Sequence, residues 1–159
     1  MKRFGFVLIF LLLLLTISNC QTFKKRVTQE DDIREAVFLD RIKLESEGST
    51  NPDIYFLSFW HQGHDTDPPP EFMKRFRGYT PPVKPVSQST FSGLRVKDKG
   101  TGSLGKIFRV APVQWINRNE VEVEWEEDGG AWAMVGGTYH LVREGTQWVV
   151  KNVTNRWAT

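Results

Sequence analysis

Glu120-Val121-Glu122-Val123-Glu124-Trp125-Glu126 alternates acidic and apolar residues without a break. A period of two places Val121, Val123 and Trp125 on one side of an extended chain and the glutamates on the other, which predicts a strand buried on one face only. Working outward, Asp128-Gly129-Gly130 turns the chain into a second strand over 131–143, with a bulge expected at Gly136-Gly137. Glu144-Gly145 turns it again into 147–153, and Trp157 closes the chain. Upstream, Leu94-Arg95-Val96 and the run from Lys106 to Val113 flank the turn-rich Asp98-Lys99-Gly100-Thr101-Gly102, so these two segments are expected to pair as a hairpin.

The first half reads differently. Thr28 and the acids Glu30, Asp31 and Asp32 suit the start of a helix over 29–45, because the acids favour the positive end of the helix dipole. Ile33, Val37 and Leu44 share one face while Phe38 and Ile42 lie roughly opposite, so the helix is expected to be covered on both sides. Ile54 to Trp60 is a continuous apolar and aromatic run, a buried strand. His61 to Pro70 reads as loop by composition. A short helix over 71–77 follows, with Phe72 and Phe76 on its inner face and Gly78 at its exit. Thr80 to Ser92, with Pro81, Pro82 and Pro85, is expected to be extended and unpaired. A helix followed by an antiparallel meander gives an α+β fold, a single domain over 28–159.

Composition bounds the rest. An apolar fraction of 40% and a charged fraction of 25% are ordinary for a globular chain and argue against wholesale disorder. At the N-terminus, Lys2 and Arg3 precede an apolar run from Phe4 to Leu15 and then Thr16-Ile17-Ser18-Asn19, the order of a signal peptide over 1–20. The apolar run is too short for a membrane span, which needs about 20 residues. Removing the leader takes two of the 21 basic residues and none of the 19 acidic ones, leaving 19 against 19. A neutral chain of this kind gives no footing for a nucleic-acid partner. The single Cys20 falls at the end of the leader, so the domain has no internal disulfide and must rely on an aromatic core drawn from six Trp and eleven Phe. Residues 21–27 read as a tether, whose Lys24-Lys25-Arg26 suits an anionic headgroup surface.

Ile17-Ser18-Asn19-Cys20 resembles the lipobox of bacterial lipoproteins, with Asn19 where those motifs carry Gly, Ala or Ser. That resemblance implies lipid attachment at Cys20 and a location in the bacterial cell envelope, or secretion where Cys20 is unmodified. Gly137-Thr138-Tyr139-His140-Leu141-Val142-Arg143, then Gln147-Trp148-Val149-Val150 and Trp157, resembles the last two strands of cystatin-like and nuclear-transport-factor-2-like (NTF2-like) domains. The resemblance implies an N-terminal helix packed on a curved antiparallel β-sheet. Asp67-Pro68 with Glu71-Phe72 and Arg75-Phe76, Pro81-Pro82-Val83, and Thr101-Gly102 ahead of Phe108-Arg109-Val110 are similar to stretches of small exported bacterial proteins of unassigned function.

Three sets of residues invite chemistry. His61, His64, Asp65 and Asp67 carry ligand types that suit zinc, although a solvated turn explains them without a metal, and no metal is expected. Asp40, Tyr55, Tyr139 and His140 are candidates to line a pocket between helix and sheet. Glu120, Glu122, Glu124, Glu126, Glu127 and Asp128 form an acidic edge that a basic partner would match or that would loosely hold calcium, or else a solvated face that discourages edge pairing. The chain has no nucleophile elbow and no phosphate-binding glycine loop, so no catalytic residues and no cofactor are expected. The sequence therefore reads as an exported, membrane-anchored lipoprotein acting as a non-enzymatic binding module for a protein or small molecule. The alternative is a small-ligand-binding or weakly catalytic domain of the NTF2-like kind. The two differ in whether helix and sheet enclose an open cavity.

Overall fold

The computed structural model describes residues 28–47, 52–130 and 134–158. The chain divides into two compact units, Met1–Asp32 and Ile33–Thr159. Of the first, only 28–32 are described, and they are helical. The expected leader, Cys20 and the tether lie outside the described residues. Among the described residues, no helix is long and apolar enough to cross a membrane.

Helix α1 covers 28–46. Its buried residues are Ile33, Val37, Phe38, Arg41 and Ile42, while Leu44 is 41% exposed. At about 100° per residue these five positions sweep one arc of about 180° with Arg41 near its middle. The two stripes read from the sequence are thus the flanks of a single wide face, and the gap between them is occupied by a cation. Leu44 fails to join that face because the sheet presents Lys106 to the last turn of α1, where it pairs with Glu45 instead of offering apolar surface.

Among the described residues ten strands follow: β1 (Ile54–His61), β2 (His64–Thr66), β3 (Val83–Pro85), β4 (Ser89–Ser92), β5 (Arg95–Asp98), β6 (Gly105–Val110), β7 (Gln114–Asn117), β8 (Glu120–Asp128), β9 (Met134–Glu144) and β10 (Gln147–Ala158). The fold is α+β, dominated by an eight-stranded open sheet in the order β10-β9-β8-β6-β1-β2, with β3 joined to β1 and β7 to β8. β4 and β5 form a separate two-stranded sheet. The alternating segment is β8, and it pairs antiparallel with β9 from Glu120↔Val142 to Asp128↔Met134.

Several local expectations are corrected. The sheet is mixed rather than antiparallel, since β1 runs parallel to both β6 and β3. Parallel neighbours need a long crossover, and the segment between β1 and β6, carrying the smaller sheet, supplies it. The supposed loop after Trp60 is a hairpin: His61 pairs with His64 across Gln62 and Gly63, whose φ values of 51° and 79° fit a two-residue turn of the mirror-image type. The Pro-rich stretch is not unpaired, because Val83–Pro85 lies against β1 and Ser89–Ser92 against β5. Pro85 is tolerated there because β3 is a short edge strand. β5 finds its hairpin partner in β4, and meets the segment just ahead of β6 through the bridge Lys97↔Leu104 and the bond from Asp98 N–H to Ser103 O. The irregularity expected at Gly136-Gly137 falls in the β9–β10 ladder, where Thr154↔Thr138 is followed by Trp157↔Gly136 with the extra residue on β10; the β8–β9 ladder passes through both glycines unbroken, and a second shift lies between Val150 and Asn152.

A short helix, α2 (Pro70–Met73), continues as a 3-10 turn over Lys74–Phe76. Pro69 caps it and Gly78 (φ 81°) ends the turn. Phe72 and Phe76 point inward against Phe38, at ring-centroid distances of 6.0 and 6.2 Å. The main core thus fills the space between α1, α2 and one face of the sheet, where Tyr55 and Phe108 stack at 5.2 Å. A second, smaller core lies on the opposite face, where Ile54, Phe56 and Ile107 meet Val86 and Val96 from the segment carrying β4 and β5. Two glycines permit this second contact. A Cβ at Gly105 would lie 2.5 Å from the Phe56 ring. One at Gly130 (φ 77°) would overlap the Leu94 carbonyl, where Arg95 bridges to it.

Because Phe38 is fully buried among aromatic rings, Phe38→Ala is expected to cost about 3–5 kcal/mol. Leu44→Ala should cost no more than about 0.5 kcal/mol. Urea denaturation of the two variants checks both figures.

Candidate functional site

Glu127 follows Trp125 by two residues and so shares its face, pointing toward α1 rather than into the acidic edge. Its side chain is 7% exposed. Arg41 Nη2 donates to Oε2 at 2.6 Å and Lys106 Nζ to Oε1 at 2.7 Å. Lys106 also pairs with Glu45, whose carboxylate lies 3.7 Å from Arg41. The Arg41 guanidinium sits 4.0 Å from the centre of the Trp125 ring, a cation–π contact. Two cations and two carboxylates therefore close on one another.

The protonation states follow. Burial pushes Glu127 upward, but the hydrogen bonds from Lys106 and Arg41 together outweigh it and hold the carboxyl below the ordinary range. Burial works against the Lys106 ammonium, and Glu127 with Glu45 more than restores it, so its pKa is raised. The Tyr139 hydroxyl donates to Asp40 Oδ2 at 2.6 Å, and burial together with that carboxylate drives its pKa strongly upward. Burial, then the Glu45 charge, also raises Tyr55. At neutral pH neither Lys106 nor either tyrosine offers a deprotonated atom for base or nucleophilic chemistry.

Of the expected pocket residues, the structure thus brings Asp40 and Tyr139 together, with Tyr55 in the same layer. Its hydroxyl is buried without a hydrogen-bond partner among the described residues. His140 is elsewhere: it succeeds Tyr139 in a strand, so it faces the other way, 2.7 Å from Glu120. The layer around Tyr139 is solid, with Phe38, Tyr55, Leu57, Val121 and Val123 all fully buried. The sequence does not single out Arg41 or Lys106, and it places Glu127 in the acidic edge; the count of two from Trp125 is the signal that puts Glu127 on the other face.

The opposite face carries the other candidates. Arg109 forks onto Asp65, with Nε at 2.8 Å from Oδ1 and Nη2 at 3.0 Å from Oδ2, and Ser58 Oγ donates to Oδ1 at 2.7 Å. Arg109 Nη1 reaches Asp128 at 3.3 Å. Burial raises Asp65, and Arg109 with Ser58 overcomes this and lowers it. Asp67 accepts the Ser87 N–H at 2.7 Å. His61 and His64 are exposed on the β1–β2 hairpin. Asp65 and Asp67 are thus engaged separately while His61 and His64 face each other across the hairpin, and among the described residues no group of three or more metal-ligating side chains is placed to hold an ion.

The acidic edge also resolves into parts. Glu120 is taken by His140 and Asn117, and Asp128 is buried beside Arg109. Glu122 and Glu124 are exposed; Glu126 is half-buried, and burial raises its pKa against the pull of Arg109. On the same face lies an open groove of about 540 Å³, with Asp65 and Asp67 as carboxylates, the mostly buried Val86 and Ile107 at its base, and Thr66, Ser87, Ser89, Thr90 and Phe91 completing it.

The fold and these two sites define an α+β protein with a mixed open sheet, a packed charged layer under its helix and an open groove on the far face. No family model, curated protein or solved structure matches the chain.

Glu127→Gln leaves the buried cations short of a carboxylate, an expected loss of about 3–5 kcal/mol. The folded pKa of Glu127 lies below its ordinary 4.5. Its contribution is therefore complete above that value and is lost as pH falls through the lower folded value. Urea midpoints measured from neutral to acid pH should show that part of the slope vanish in Glu127→Gln. Melting curves with zinc and with EDTA should coincide, because an ion bound by the native state shifts its melting.

Proposed function

We propose that the protein is an exported, lipid-anchored module of the bacterial cell envelope whose role is binding rather than catalysis. The observation that carries this reading is the contrast between the two faces of the sheet. Among the described residues under α1, Arg41, Lys106 and Glu127 pair with one another and the aromatic layer is buried, whereas the far face keeps an open groove with polar walls and the exposed Phe91 at its edge. A filled helix–sheet layer weighs against the alternative, a ligand cavity of the NTF2-like kind. The N-terminal helix and the antiparallel β8–β9–β10 order still support a cystatin-like or NTF2-like relationship, while the parallel β1–β6 pair sets the chain apart from a purely antiparallel version. The leader and Cys20 supply the export and anchoring part of the reading.

Metabolic labelling with a palmitate analogue should mark the wild type and spare Cys20→Ala; an unlabelled wild type removes the anchor. A photo-crosslinking residue in place of Thr90 should give adducts in intact cells, and one in place of Lys43, on exposed helix surface, should give none. Equal crosslinking at both positions overturns the groove as the contact surface.

A further inference from the structure

We propose that the groove takes an extended basic peptide, which adds as a strand to the outer edge of β4; this deepens the binding reading above and rests on it. Among the described residues β4 pairs with β5 alone. The Gly93-Leu94 turn makes Ser92↔Arg95 the first pair of the ladder. In an antiparallel ladder, hydrogen-bonded and non-bonded pairs alternate, so Phe91 and Ser89 turn their backbone polar groups away from β5. Two bonds confirm the phase: Lys99 N–H goes to Gln88 O at 2.9 Å, and Asp98 N–H goes to Ser103 O at 2.9 Å rather than to Ser89. The Ser89 N–H is already taken by the Val86 carbonyl. Phe91 N–H, Phe91 C=O and Ser89 C=O remain as an outward row at strand spacing.

Such a row is matched by another extended backbone. Ser89, Thr90 and Phe91 line the groove, so an added strand at this edge has the groove beside it. Val86 and Ile107 lie at the base of the groove but are 8% and 1% exposed, so Phe91, 54% exposed, supplies the main apolar contact for its inward side chains. Charge selects among peptides. Asp65 and Asp67 are the ionisable residues of the lining, and both are acidic. Asp67 Oδ2 has no partner among the described residues. Behind Asp65, Arg109 stands against Asp65, Asp128 and Glu126; with Asp67 the acids number four against two cations, Arg109 and Lys99, whose Nζ bonds the Ser87 carbonyl at 2.6 Å, and two negative charges are in excess. Glu122 and Glu124 extend the same sign. A Lys or Arg two residues from an apolar anchor lies on the same side of an extended peptide and reaches Asp67. Three backbone groups and one ion pair make a short contact, so the binding is weak and sequence-tolerant.

The test titrates acetyl-Val-Thr-Lys-Thr-Val-amide, whose Lys and two Val share one side of an extended chain, into the 15N-labelled protein, purified with its N-terminus as the host processes it. Saturable amide shifts are expected at Ser89, Phe91 and Asp67. Exchanging the peptide Lys for Glu should weaken binding about tenfold, as should methylating the peptide backbone nitrogens that face β4. Asp67→Asn keeps the acceptor for Ser87 N–H and should remove the Lys-over-Glu preference without moving the melting temperature. Absence of shifts at millimolar peptide overturns the proposal, and so does binding indifferent to backbone methylation or to charge. If Thr90 crosslinks in cells while the peptide is silent, the groove is a contact surface for something other than a strand. If both are silent, the binding reading falls as well.

Discussion

Arg41 and Glu127 are 86 positions apart in sequence and 2.6 Å apart in space. Their contact fixes how α1 sits on the sheet, because Arg41 is at the middle of the buried arc of the helix and must also lie over Trp125. A buried ion pair is a poor source of net stability, since desolvation offsets much of its attraction, but it is costly to break. Rotating α1 by one residue would bury the cation against aliphatic side chains and strand Glu127. The apolar flanks Ile33, Val37, Phe38 and Ile42 supply the burial; the ion pair selects one seating among those the flanks allow.

The strand under that pair was the most legible part of the chain. Alternation over 120–126 gave β8 its two faces, and the long helix, the β9–β10 hairpin and the sheet-rich second half were all readable from local pattern. Pairing partners were less so. Period two is identical for parallel and antiparallel neighbours, so nothing between Ile54 and Trp60 announces that β1 runs alongside β6. The β1–β2 hairpin escaped notice because Gln62 occupies a positive-φ position where Asn, Asp or Gly is the usual cue.

The candidate site was legible only in fragments. Asp40 and Tyr139 were singled out and do meet, yet the reason lies 99 residues away from either's local pattern. Tyr139 and His140 were grouped as one pocket although strand neighbours face opposite ways, a constraint already present in the sequence. Glu127 looked like the tail of a solvated acidic run, since Glu126-Glu127-Asp128 has no apolar residue to show its phase. The groove needed tertiary structure altogether: Asp65, Val86, Phe91 and Ile107 come from separate elements, and no spacing rule links them.

β10 is the long outer strand of the main sheet, twelve residues from Gln147 to Ala158, paired among the described residues with β9 alone. An uninterrupted edge of that length is a template for fibrillar growth by identical chains. The two register breaks flanking Asn152 to Thr154 divide it into short ladders whose hydrogen-bonding phases do not match. A second copy cannot zip along it in one register. The same irregularity that spoils the ladder therefore protects the protein from aggregation when many copies are crowded together.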